Sequence, residues 1–594
     1  MDRQSTLGFV LIFILIMVWM WMYSPTPKPP QQRNEKIGHT VDTVRIPLEP
    51  KVPEQSAAEE GPKQVSRFFA GRTQGRESVV TVETDKFVAE LSSRGGTIKS
   101  WTLKNFKTWD GKPVQLVDYD KQGDLSLLFT SSDGRLVDTH DLYFDTDGGP
   151  GTVRLDEKHF EFEINFRLPV STGGAIVKTY HFRTGDYGCD IQYQFVGVDN
   201  VIANYEYQLV WESGLRYAEV NSIDESSFAE AYAYAGKELT ELDAKEIGQK
   251  VQKDISGTVD WVAARNKYFA LALIPTQPNA DGAYIEGTRT AKPNNGVQES
   301  YSIALKMPFR GGNETSKFSV FLGPLDLDIV KHYGVGLEAI MSLGWTWLIR
   351  PIARYIMLPL FNVIHLVIPN WGIVIIVFSV IIKVVLHPLT RSQMKSMKKM
   401  QALQPLMDEL REKYKDDPQK MNQAIMNLYK EYGVNPAGGC LPLLLQMPIL
   451  YALWALFRAN IELRQAHFVG WITDLSRPDV AFTLPFRLPI VGIDEVSGIA
   501  LIMGVTMFVQ QKMSVKDPRQ QAMIWMMPIM MTLLFNSFPA GLNLYYTVFN
   551  VLGIGQQIII NKQHAAEPLR KVEPKKRSQG GLFGRFKNIP RLKK

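Results

Sequence analysis

Hydrophobic positions along this chain change their spacing several times, and each change marks a boundary. Leu7 to Tyr23 is apolar throughout, at the short end of what crosses a bilayer. From residue 67 to 343 the period becomes two. Phe160-Glu-Phe-Glu-Ile-Asn-Phe-Arg-Leu168 alternates without error, Ile176 to Phe182 alternates in part, and Ile191, Tyr193 and Phe195 repeat the pattern. Turn signals such as Ser93-Arg-Gly-Gly96 and Asp147-Gly-Gly-Pro150 separate these runs, which predicts a sandwich of antiparallel strands, one face buried and one wet. Long apolar runs then return and predict transmembrane helices near 371–389, 438–457, 498–513, 523–538 and 542–560. The predicted fold class is a multi-domain membrane protein, with an all-α polytopic core and an all-β exported super-sandwich.

The connecting segments have their own signatures. Residues 1–24 lack both the small-residue cleavage pattern of a removed signal and a lipid-accepting cysteine, so they read as an uncleaved signal anchor, with a cleaved signal as the alternative. Residues 25–66 are rich in Pro, Gln, Glu and Lys and predict a disordered tether. In 344–368, Arg350 and Arg354 stand one turn apart among apolar residues, which suits an interfacial amphipathic helix better than a span. Between 391 and 433 two apolar stripes predict a helical hairpin. Asp417-Pro418 starts its second helix and Gly433 ends it. The bland reading is a packed antiparallel pair; the sharper one is that Met394, Met397 and Met400 offer an adaptable surface to varied apolar segments.

Charge sets the orientation. The loop from Arg391 to Lys430 and the tail 564–594 concentrate lysine and arginine; from Lys562 onward eleven cations face two acids, against a net charge of +6 for all 594 residues. Both segments are therefore expected in the cytoplasm, with the N-terminus there too and the sandwich outside. Of the two cysteines, Cys189 would lie outside and Cys440 in or near a span, so they cannot pair. The sequence holds no metal-ligand spacing, nucleophile elbow or phosphate-cradling loop, so no catalytic residue, metal or cofactor is expected. The sandwich reads as a scaffold or partner-binding domain, with a sugar-type ligand groove as the alternative.

One residue breaks the apolar pattern. Lys383 sits inside Gly372 to Leu386, where an ionisable group is expensive and marks a place at which something polar is met. Ser379 is one turn away on the same face, Gln446 lies between Pro442 and Pro448, and Tyr545 and Tyr546 follow the break Phe538-Pro-Ala-Gly541. If these faces converge they form a polar recess, with Ile375 turned to lipid. The competing reading is snorkelling, since the Lys383 Cα lies about 10 Å from the cytoplasmic edge at ~1.5 Å per residue. Gln446 and the tyrosines could equally be interhelical hydrogen-bonding groups. A transporter or channel for a small solute is the rival class, but it would need polar groups in both leaflets and paired half-repeats, which the sequence lacks.

Several ordered motifs carry a family resemblance: Asn370-Trp-Gly372, His387-Pro-Leu-Thr390, Asn435-Pro-Ala-Gly-Gly-Cys-Leu-Pro442, Gln446-Met-Pro448, Glu462-Leu-Arg-Gln465, Gly504-Val-Thr-Met507, Gln511-Lys-Met513 and Phe538-Pro-Ala-Gly-Leu542. Over Gly344 to Lys562 they resemble the Oxa/Alb/YidC insertase family, and the anchor and sandwich extend the likeness to the form with a large periplasmic domain in Gram-negative inner membranes. The resemblance implies a five-helix insertase core in residues 369–563 that helps newly made membrane proteins enter the bilayer, alone or beside the Sec translocon, through a groove open to cytoplasm and lipid. It implies Lys383, where the family normally has arginine, together with Ser379, Gln446 and Tyr546 as groove residues. Nascent chains, the Sec translocon, ribosomes held by the basic tail and cytoplasmic loops, and anionic lipids are the expected partners; no small-molecule substrate or ATP hydrolysis is expected.

Overall fold

In the computed structural model, residues 65–571 are described apart from 118–122, 294, 342–347, 435–440, 488–491, 515–520 and 564–570, with 441–445 and 521–523 as backbone only. The expected anchor, the tether up to residue 64, Cys440, and all of the basic tail except Lys571 lie outside them.

The alternating region folds as two packed sheets. One has five strands in the order Pro113–Gln115, Thr97–Lys107, Phe87–Ser92, Val79–Glu83 and Gly151–Arg154. The other is larger and antiparallel among the described residues, with Lys250–Arg265, Phe269–Gln277, Glu314–Pro324, Gly188–Val196, Ala175–Arg183 and Glu161–Pro169 side by side. Ile164, Phe166 and Leu168 are buried, as the alternation predicts, whereas Phe160 precedes the strand and is exposed. On the neighbouring strand Phe182 meets Phe87 and Trp101 of the smaller sheet, whose rings stack at 3.8 Å, and Tyr180 packs on Phe166 and Phe182. Tyr180 closes the layer by donating its hydroxyl to the Gly96 carbonyl at 2.7 Å, where the chain turns with Gly95 and Gly96 both at positive φ.

The sandwich carries two short helices, α1 (Ser222–Ser226) and α2 (Leu327–His332), and its last strand ends at Pro324. A helical stretch follows: α3 (Ile349–Ile352), a π-helical turn (Ala353–Met357) and α4 (Leu358–His365). It buries Ile349, Ala353, Met357 and Phe361 and exposes Tyr355, Ile356 and Val363, so its outer side is apolar. The arginines do not form a polar outer face. Arg350 donates to the carbonyls of Glu338, Ala339 and Met341, and Arg354 pairs with Glu338 at 2.9 Å, tying the stretch back to the last turn of the sandwich.

The remaining helices are α5 (Trp371–Val385), α6 (His387–Ala402), α7 (Gln404–Lys413), α8 (Pro418–Glu431), α9 (Leu441–Ala459), α10 (Gly498–Ser514), α11 (Gln521–Phe535) and α12 (Ala540–Gln563). α5 starts at an Asn370 cap that accepts from the Ile373 amide. It stops four residues short of the predicted end, because Pro388 cannot continue the hydrogen-bond ladder and starts a helix bent by 64°. Among the described residues no single helix is long and apolar enough to cross a membrane; α5 and α6 together meet that length and composition. α5 packs on α4 through a Phe361–Phe378 stack at 4.4 Å, and α12 packs against both α5 and α10.

The segment read as two helices contains three. The stripe from Met394 to Tyr414 is interrupted at Leu403, with Pro405 in the first turn of α7. α7 and α8 pack through Leu403, Met407, Leu428 and Val434, and the Asp417 side chain caps α8 as expected. Met394 is buried and Met397 and Met400 are half-buried, so they do not form the open methionine surface that the stripe predicts; the exposed methionine of this segment is Met426 on α8. The physical reason is that the stripe is consumed by packing, Met400 on the small α7–α8 core and α6 on α12.

Candidate functional site

Lys383 lies in the last turn of α5 and is only 4% exposed. Its ammonium sits 3.8 Å from the centre of the Phe549 ring on α12 and donates to the Phe549 carbonyl at 3.3 Å. No carboxylate pairs with it among the described residues. It does not run outward along the helix to solvent, as snorkelling would require.

Gly553, one turn beyond Phe549 on the same helix, makes this approach possible. A Cβ there would stand 3.2 Å from the Lys383 Nζ and 2.6 Å from the Gln510 Nε2 of α10. Lysine and glutamine thus converge on a bare stretch of α12 backbone. One turn above Gln510 is Thr506, whose hydroxyl receives Asn550 of α12 at 3.4 Å. Asn550 belongs to a stripe with Asn543 and Gln557, spaced by seven residues along α12. Asn543 donates to the Phe535 carbonyl at 3.0 Å and Gln557 to Asn561 at 3.1 Å.

The other predicted residues divide into those that join this cluster and those that do not. Ser379 is buried, but its hydroxyl is spent on the Ile375 carbonyl one turn back at 2.7 Å. Tyr545 is buried with its ring 5.7 Å from Phe549 and 6.1 Å from Phe378, and its hydroxyl has no partner among the described residues. Tyr546 turns toward α11, edge-on to Phe535 at 5.3 Å. Gln446 is half-buried on α9, which packs against α12 and the α3 stretch. Ile375 is fully buried, so it is not on the open face of α5; Val384, 66% exposed beside Lys383, and Val385, 65% exposed, are. The reason is that α5 is covered by α4 on one side and α12 on another, leaving a narrow open face.

A second polar assembly joins the helices to the sandwich. Asp224 of α1 is held by Lys267 of the sandwich at 2.7 Å and by Arg458, in the last turn of α9, at 2.5 Å. Glu219 takes Arg464 at 2.6 Å, and Arg464 also reaches the Lys107 carbonyl. Tyr268 donates to Ser476 at 2.9 Å. Beside these lies a cleft whose walls include Asp326, Asp328 and Glu462. Burial and the two aspartates push the Glu462 carboxyl up to about 7.

Two family models match the chain, "YidC periplasmic domain" over residues 79–355 and "60Kd inner membrane protein" over 363–567. The membrane protein insertase YidC of Chlorobaculum parvum is 41% identical over 572 residues, covering 94% of each chain. This chain belongs to the YidC family. The YidC of Chlorobium phaeovibrioides is likewise 41% identical, over 98% of this chain and all of its own. A solved structure described as "Active YidC insertase crystal structure with the first transmembrane domain resolved" is 18% identical with a TM-score of 0.35, aligned over 81% of this chain and 94% of that one. The YidC periplasmic domain corresponds to the sandwich found here, and the helical part to the inner-membrane portion of the family.

Within this YidC-family chain, sequence reasoning passed over Gln510, Phe549 and Gly553. A signal for them existed: Thr506 and Gln510 are four residues apart on one apolar helix, and Asn543, Asn550 and Gln557 repeat every seven on another.

Proposed function

We propose that this chain inserts newly made proteins into the bacterial inner membrane, and that the Lys383 cluster is where a polar part of the inserting chain is met. In this reading α5 and α9 to α12 cross the bilayer, both termini are cytoplasmic, and the sandwich is periplasmic. The observation that carries it is the buried Lys383 ammonium, solvated by a ring face and one carbonyl and, among the described residues, by no carboxylate. A charge so placed has lost most of its hydration without gaining a full counter-charge, so an incoming Asp or Glu is attracted strongly in this low-dielectric setting. Around it, Gln510, Thr506 and Asn550 supply exchangeable hydrogen bonds for a backbone passing through. Apolar segments of the substrate then exchange these contacts for lipid, which favours release sideways. Insertion of this kind needs no bond made or broken, so the activity is non-enzymatic.

The Sec translocon is a proposed collaborator, and the basic tail from Lys562 onward is a proposed contact for ribosomal phosphates or anionic lipids. Met394, Met397, Met400 and Gln446 remain proposed contacts for substrate on its way in, reached only if the packed α6 to α8 segment opens.

The test is Lys383→Glu in the full chain. Insertion of a substrate with an acidic translocated tail should fall at least tenfold, and insertion of the same substrate with a neutral tail should change much less. Equal insertion of both by the variant would contradict the reading.

A further inference from the structure

We propose that the loop between α9 and α10 is a membrane-surface anchor, with the exposed apolar side chains of its segment Val469 to Phe486 inserted among the lipid headgroups of the periplasmic leaflet. The inference rests on the reading that α10 and its neighbours span the bilayer.

The loop crosses one end of the helical bundle. His467 accepts from Asn370 before α5, Leu475 and Arg477 accept from Gly541 and Ala540 at the start of α12, and Ser497 donates to Asn536 after α11. Its inward side is occupied by the sandwich through Arg464 and Ser476. What is left exposed from Val469 to Phe486 is apolar apart from Thr473 and Thr483, with Asp474 and Arg477 half-buried. Val469 is 65%, Trp471 47%, Phe482 49% and Phe486 58% exposed. Val480-Ala-Phe-Thr-Leu-Pro-Phe486 contains no charge, and the exposed cation Arg487 follows it.

Trp471 fixes the level of this surface. Its indole N–H donates to Asp479 at 2.8 Å, and its ring lies over Gly498, the first residue of α10, where a Cβ would come 2.5 Å from Cζ2. The polar edge is therefore satisfied inside the protein, and an apolar ring is presented at the height where a span begins. That is the arrangement tryptophan adopts in the interfacial belt. Leu366 and Val367, 85% and 82% exposed just before α5, lie at the same end. In water this uncharged, strand-forming segment would be an association hazard. A headgroup layer covers it without a protein partner, and Arg487 matches the phosphates at its rim.

The test uses full-length protein in liposomes of phosphatidylcholine and phosphatidylglycerol, with Cys189 and Cys440 replaced by serine and one fluorophore at a time. Labels are placed at Phe486→Cys, at Val505→Cys on the exposed side of α10, and at Tyr205→Cys on the sandwich surface; Phe482→Cys repeats the measurement at a second loop position. The Phe486 label should be quenched at least twofold more by phospholipid spin-labelled near the headgroup than by one labelled deep in the chain, and should resist aqueous iodide relative to the Tyr205 label. The Val505 label should prefer the deep quencher. Iodide quenching at Phe486 equal to that at Tyr205, with Val505 still quenched by lipid, would overturn the anchor and leave the spanning reading intact. Loss of lipid quenching at Val505 would overturn the spanning reading itself. A Phe486 label shielded from both iodide and lipid would place protein, such as a second copy, over the patch and would also overturn the anchor.

Discussion

Phe549 receives the Lys383 charge twice, through its ring face at 3.8 Å and through its own carbonyl oxygen at 3.3 Å. A desolvated cation–π contact contributes about 2 kcal/mol, whereas burying an ammonium costs several kcal/mol. In the proposed function, the remaining deficit is what an acidic group on the inserting chain relieves.

Gly553→Ala tests whether the approach of Lys383 to α12 matters. The added methyl group would crowd both Gln510 and Lys383, whereas at Gly555 no described residue comes within 4 Å of a Cβ. Insertion of an acidic-tailed substrate should fall severalfold in Gly553→Ala and be unchanged in Gly555→Ala, at equal amounts of membrane-integrated protein. Equal activity of the two variants would mean that the convergence on Gly553 is packing alone.

Asp224 is shared unequally. Lys267 is 2% exposed at its side chain and Arg458 28%, so Asp224→Ala strands a buried cation and Arg458→Ala does not. The first should cost about 3 kcal/mol and the second about 1 kcal/mol or less. Thermal midpoints of the detergent-solubilised full chain check this ordering; a larger loss in Arg458→Ala would contradict it.

Glu225 gives the sandwich a pH dependence. Its carboxyl is buried and accepts from the amides of Ala218 and Glu219, yet burial wins and pushes its pKa up to about 8. Between about pH 4.5 and pH 8 the folded state thus holds a proton that the unfolded state has released, so its contribution to stability falls as pH rises through that window. One group changes stability by at most about 1.4 kcal/mol per pH unit. Glu225→Gln should flatten the fall in the sandwich's thermal midpoint over that window, and an unchanged slope would assign it to other groups.

The sandwich was legible because alternation such as Ile164, Phe166, Leu168 is produced by one buried face; the long apolar runs 498–513 and 542–560, which have no such alternation, fall inside the helices α10 and α12. Proline chemistry was visible at Pro388 and Pro405, but an apolar stripe running through them concealed the breaks after Val385 and at Leu403. Lys383 was conspicuous because it is charged. Its neighbours were not: Phe549 and Gly553 matter for a ring face and for the absence of a side chain, and neither property departs from an ordinary apolar helix. Ile375 was misassigned because which side of α5 is open depends on α4 and α12 packing, which the α5 sequence does not encode.

The most direct measurement places a photo-crosslinker at Gln510, beside Lys383, and at Val384 on the open face of α5, and exposes each to a ribosome-bound membrane-protein nascent chain. Adducts from Gln510 that exceed those from Val384, and that fall when Lys383→Glu is added, are the predicted result. Equal labelling from both positions, or none from Gln510 in a functional variant, would contradict a substrate-binding role for this cluster.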